Sequence, residues 1–136
     1  MKKILIIGWL AIASIISASP ARAQTSSEIV HEIVTEASQT YGVNPDEMWR
    51  TLWCESRFKF DAMGDPHLGV SIGIAQINMR WNPDVTPEQA LDPVFSIHFM
   101  ARKMSVGKAH LWTCWRSIYG AIAQSEIVQT ENENGL

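Results

Sequence analysis

Cysteine and tyrosine are scarce in this chain of 136 residues, two of each, and no internal repeat or low-complexity tract is present. Two cysteines, Cys54 and Cys114, cannot build a cysteine-rich zinc site, and His31, His67, His98 and His110 are scattered without ligand spacing. No metal is expected, and the histidines read as surface or satisfied structural residues. Long apolar runs are missing too, with one exception from Ile4 to Ile16. It follows Met1-Lys2-Lys3 and precedes the small-residue site Ala21-Arg22-Ala23, the order of a secretory leader over residues 1–23. That run is too short to span a bilayer comfortably and has no successor, so no membrane anchor is expected after cleavage. Positive charge is the last shortage. Lys2, Lys3 and Arg22, three of the eleven basic residues, leave with the leader while all fourteen acids stay, which moves the net charge from −3 to −6. This excludes the basic stripe that nucleic acid requires. Binding to a polymer would have to rest on a shaped groove.

What remains is one domain with a modest core, residues 24–124, and a polar tail, residues 125–136, expected to be disordered. An exported chain meets an oxidising compartment, where a single cysteine pair is by default a disulfide. The domain reads as helices with strong punctuation. Thr25-Ser26-Ser27-Glu28 has capping-box spacing, and Ile29, Val30, Ile33, Val34, Ala37 and Tyr41 then share a face up to Gly42. Asn44-Pro45-Asp46-Glu47 opens a second helix, with Met48, Trp49, Leu52 and Trp53 as its buried stripe. Between Asp61 and Pro83 the turn residues cluster around Val70, Ile72, Ile74 and Ile77, which predicts a long Gly-rich loop with a short hairpin or an irregular helix. Thr86-Pro87-Glu88-Gln89 starts a short helix. Asp92-Pro93 starts a longer one with Val94, Ile97, Ala101 and Met104 inward, widened by Phe95 and Phe99 and ended by Gly107. A last helix from Leu111 to Ala123 would turn Trp112, Trp115, Tyr119 and Ile122 inward. The fold class is mostly α.

Glu55 is the acid best placed for chemistry. It sits near the carboxyl end of its helix, where the macrodipole opposes a second negative charge, and it follows Trp49, Leu52 and Trp53. Desolvation and the dipole both favour the protonated form, which a general acid needs. Cys54 precedes it. Neighbours on a helix diverge by about 100°, so a bond from Cys54 to Cys114 would brace the backbone of Glu55 without sharing its face.

The string Glu55-Ser56-Arg57-Phe58 resembles the catalytic segment of the soluble lytic transglycosylase family, which has the goose-type lysozyme fold. Ser71-Ile72-Gly73-Ile74-Ala75-Gln76-Ile77 is similar to that family's Ser-x-Gly-Leu-Met-Gln-Ile motif, and Leu91-Asp92-Pro93 with Ile97 is similar to its Asp-Pro segment. Order and spacing agree over about Ser27 to Tyr119. The resemblance implies a lysozyme-like domain with Glu55 as general acid/base, and Ser71, Gln76 and Gly73 beside the substrate. Asn78 is a further hydrogen-bonding candidate, with a solvated loop residue as its alternative. Tyr119, in Ser117-Ile118-Tyr119-Gly120, stands nearest to the family's Ala-Tyr-Asn-x-Gly tyrosine that reaches the acid, although the asparagine is missing and a core tyrosine is the rival. Trp112 and Trp115 could stack on sugars or pack the core.

By the same resemblance the substrate is the glycan strand of peptidoglycan, and the product is a 1,6-anhydro sugar made without cofactor or metal. Hydrolytic glycosidases usually use two carboxylates, and the motifs here offer one. A hydrolytic lysozyme on the same fold and a non-catalytic peptidoglycan-binding module are the alternatives. A place in an envelope-spanning complex is compatible with any of them. The location expected is periplasmic or extracellular.

Overall fold

Short-range chemistry sets where each helix begins. The computed structural model describes residues 23–64 and 66–122. Residues 1–22, Asp65 and residues 123–136 lie outside the described residues, and with them most of the expected leader and the expected tail. Helix α1 (Ser26–Tyr41) starts on the expected capping box: Thr25 Oγ1 accepts from the Glu28 N–H, and the Glu28 carboxylate accepts from the Thr25 N–H. These bonds hold the Glu28 carboxyl below its ordinary pKa. Gly42 ends α1 in the left-handed conformation, φ 66°. In α2 (Pro45–Ser56) the Asn44 side chain caps the N–H groups of Asp46 and Glu47. Thr86 and Gln89 form a second capping box at α3 (Pro87–Leu91), and Asp92 caps α4 (Pro93–Ser105) through the N–H groups of Val94 and Phe95. A last helix, α5, covers residues 113–122.

The faces these helices bury are less local. Helix α1 lies on α4 and α2, and Val30, Ile33, Val34 and Ala37 join Met48, Leu52, Ile97, Met100 and Ala101 in one core. Three inward assignments from periodicity are corrected. Trp53, Val94 and Ile122 are about half exposed, at 47%, 50% and 55%. In α2 the buried set is Met48, Thr51, Leu52 and Ser56; in α4 it is Ser96, Ile97, Phe99, Met100 and Ala101. A shift of one residue turns a helix by about 100°, so a sequence rich in apolar residues on several sides leaves the phase open.

The Gly-rich loop contains the expected short hairpin, β1 (Ser71–Ile72) antiparallel to β2 (Ile77–Asn78), with Ser71 opposite Asn78. Met63 forms a bridge to Ile72 on the outer side. The turn between the strands is buried, which obliges its backbone to find partners. Ala75 N–H donates to Ser96 Oγ on α4 at 3.2 Å, and Ala75 C=O accepts from the Trp112 indole at 2.7 Å. The hairpin tip is thus tied to α4 and to the residue that opens α5.

Gly73 has two reasons to be glycine. Its φ is +77°, and a Cβ there would lie 1.8 Å from the Ala90 carbonyl oxygen of α3. Gly73→Ala is therefore expected to destabilise the domain by about 3 kcal/mol or more, since left-handed strain and overlap with backbone act together. A urea melt reads this directly, and a loss under 1 kcal/mol, roughly the scale of a surface change, would contradict the packing described.

Candidate active site

The chain turns sharply just after Glu55. Arg57 and Phe58 both adopt positive φ, 54° and 60°, an unfavourable conformation for residues with a Cβ. Phe58 is buried with its ring against Trp49 and Trp53, at centroid distances of 4.3 and 5.1 Å, and this anchor holds the turn. The Arg57 guanidinium sits 5.0 Å from the Trp53 ring, so it does not fold back on Glu55. The Glu-Ser-Arg-Phe string is therefore a helix end locked by an aromatic cluster. Trp53 serves that lock rather than the inner core, which corrects its place in the expected stripe.

Glu55 itself is half-buried. Thr51 and Leu52, four and three residues earlier on its face, are fully buried. Cys54 and Cys114 form a disulfide, and the Cys114 N–H donates to Glu55 Oε1 at 3.0 Å. This N–H belongs to the first turn of α5, where helical amides lack intrahelical acceptors. Glu55 thus ends one helix and caps another. Burial pushes its carboxyl above the ordinary range, while the Cys114 N–H and the Arg116 charge pull it down without cancelling the rise. Periodicity in α2 could foresee the burial. It could not foresee a second helix whose N-terminus favours the carboxylate.

Arg116 was not singled out from sequence, because nothing local marks it. Its guanidinium donates to His110 C=O and to Thr113 Oγ1, so it is held by the segment that leads into α5. Arg116→Gln removes a charge that favours ionised Glu55, so the carboxyl pKa should rise further. If protonated Glu55 is the working form, the alkaline limb of the activity profile should move to higher pH. An unchanged limb would show that Arg116 does not act on the acid.

The other candidate residues separate into groups. Gln76 and Asn78 line a groove of about 320 Å³ together with Trp81, Asn82 and Trp112. The Gln76 amide N–H2 is engaged by Ala62 C=O and Gly73 C=O, at 3.1 and 2.9 Å, so this side chain also staples the loop. Ser71 Oγ accepts from the Asn78 amide at 3.4 Å across the hairpin. Gly73 faces α3, and that contact accounts for its glycine. Trp112 is buried, and its neighbouring residues 113 and 114 carry the chain from the groove to the amide that holds Glu55. Trp81, 73% exposed at the groove, had no periodic signal because it lies in a loop.

Tyr119 is not brought to Glu55. Its ring meets that of Trp115 at a tilt, centroids 6.0 Å apart, and Arg50, Glu47 and Asp46 act on its hydroxyl, which places it by the first turns of α2. Burial raises its pKa. Trp115 likewise donates its indole N–H to Glu47. Eight residues of helix, about 12 Å, separate Glu47 from Glu55. A larger open depression, about 630 Å³, lies on the Cys54 side among Trp49, Trp53, Phe58 and Ile118, and none of the motif candidates from residue 71 onward lines it.

Among the described residues no cluster of three or more His, Cys, Asp or Glu side chains converges as a metal site. His98 differs from the satisfied histidine expected: it meets Tyr41 edge-on, and its Nε2 is buried without a partner. No helix among the described residues is long and apolar enough to cross a membrane. No family model, curated relative or solved structure matches the chain.

Proposed function

We propose that this chain is an exported peptidoglycan lytic transglycosylase with a lysozyme-like domain, in which Glu55 is the general acid/base. The observation that carries the reading is the state of Glu55: a half-buried carboxyl, raised by burial, yet held by the Cys114 N–H and Arg116. Burial favours the protonated form that a general acid needs, and the carboxylate has partners once the proton has gone. The motif residues Gln76 and Asn78 line a groove that Trp112 also lines, two residues before Cys114.

In this mechanism Glu55 protonates the oxygen joining N-acetylmuramic acid to N-acetylglucosamine, and that bond breaks. The resulting carboxylate accepts the proton of the muramoyl 6-hydroxyl as its oxygen closes on the anomeric carbon. Glu55 is then protonated again, and no water has been consumed. The cycle needs one carboxyl group that can be acid and then base, which suits the single carboxylate in the motifs. The disulfide fits an exported chain.

Digestion of purified sacculi followed by product mass tests the reading. Anhydro ends, one water lighter than reducing ends, are expected. Reducing ends would mean a hydrolase, and no soluble fragments at all would remove the enzymatic assignment.

A further inference from the structure

The overall acidic charge of the chain conceals a local segregation at the groove. The loop contributes Asn78, Trp81 and Asn82 to its lining, the end of α4 and the segment after it contribute Lys103, Lys108 and His110, and no carboxylate lines it. The two lysines are held together by the way α4 ends. Gly107 takes φ +75°, its N–H donates to Met104 C=O, and the Lys108 N–H reaches back to Lys103 C=O at 3.0 Å. This pattern is a Schellman ending, which fixes the residue after the glycine against the last helical turn. Lys103 has Phe99 as its neighbour, the ammonium 5.3 Å from the ring centroid. Among the described residues neither lysine is tied to a carboxylate.

A helix C-terminus favours cations in general, and that accounts for a lysine at the end of α4. It does not account for Lys108 beyond the helix or for both lysines lining one groove with a histidine. The lining of the groove is complementary to a ligand with two parts. Exposed Trp81 offers a flat apolar face that suits a sugar ring, and Asn78 and Asn82, whose amides also bond within the loop, lie along the same groove. The lysines suit an anion.

Resting on the proposed function, we propose that Lys103 and Lys108 bind the carboxylates of the stem peptide carried by the muramoyl lactyl group. The chain then recognises peptide-bearing strands over naked glycan. The occupant is an acidic peptide attached to a sugar, and not a free anion.

Two measurements test this. The first compares cleavage of intact sacculi with sacculi stripped of stem peptides by an amidase, for wild type and the double variant Lys103→Gln/Lys108→Gln. Wild type should favour peptide-bearing strands about tenfold, and the variant should show a ratio near one; added salt should erode the wild-type ratio. The second uses Glu55→Gln protein, which removes turnover, and follows binding of a disaccharide-peptide and the peptide-free disaccharide by calorimetry. The lysine substitutions should weaken only the first, about tenfold. Equal ratios in wild type and variant, or a preference for naked strands, would overturn the role of the lysines. If wild type cut no glycan the enzymatic reading would fall, and the binding ratio would still decide the role of the lysines. Circular dichroism of the double variant excludes a folding defect.

Discussion

Glu55→Gln is expected to lower the release of soluble fragments from sacculi by roughly 10²- to 10⁴-fold, the range associated with loss of a general acid–base group. Glutamine keeps the size of the side chain and an oxygen that can accept from the Cys114 N–H, so the corner between α2 and α5 should survive. What disappears is the transferable proton. The same substitution should leave the domain slightly more stable at neutral pH. The Glu55 carboxyl has a raised pKa in the fold, so between its unfolded and folded values the native state binds more protons than the unfolded chain. Stability contributed by this group is therefore present at pH below the ordinary carboxylate value and is lost as pH rises through the raised one. Above that window an ionised, half-buried Glu55 is a liability that glutamine lacks. Thermal melts at acidic and neutral pH, beside fragment release, check both halves. Retained activity in a well-folded variant would end the assignment of Glu55.

The second large effect is expected from Cys54→Ser/Cys114→Ser. The disulfide joins positions 60 residues apart, and in the chain-entropy account closing such a loop is worth about 4 kcal/mol. For a domain of this size that corresponds to a fall in melting temperature of roughly 15 °C or more. The effect should reach the acid as well. Cys114 supplies both the sulfur that binds Cys54 and the N–H that holds Glu55, while Cys54 is the residue before Glu55. The staple thus sets the distance between a carboxylate and its hydrogen-bond donor. Without it the donor is less well held, the ionised form loses support, and the alkaline limb of activity should move to higher pH, as in Arg116→Gln. The profile must be recorded at a temperature where wild type and variant are both folded. A lower melting temperature with an unmoved limb would leave the disulfide as a brace alone. Reduced wild type should behave like the variant.

Much of the architecture was legible because it depends on contacts a few residues apart. The boxes at Thr25–Glu28 and Thr86–Gln89, the caps at Asn44 and Asp92, and the stop at Gly42 are each closed within one turn of chain. The hairpin was half-visible: β-branched residues among glycines marked it, while its pairing of Ser71 with Asn78 depended on the turn geometry. The inward faces were read less well, since Trp53, Val94 and Ile122 are apolar whichever way they point.

For the site, sequence alone determined that Glu55 stands at a helix end, that its motif neighbours follow in order, and that Cys54 has Cys114 as its only intrachain cysteine partner. The tertiary structure decided the rest: the Cys114 amide on Glu55, the charge of Arg116, the departure of Tyr119 to the other end of α2, and the meeting of Asn78 and Trp81 with Lys103 and Lys108 along one groove. The physical reason is range. Caps and turns are selected by energies within the local chain, whereas the proton affinity of a carboxyl follows from whatever the fold places within a few ångströms of it. In this protein that is a residue 59 positions away.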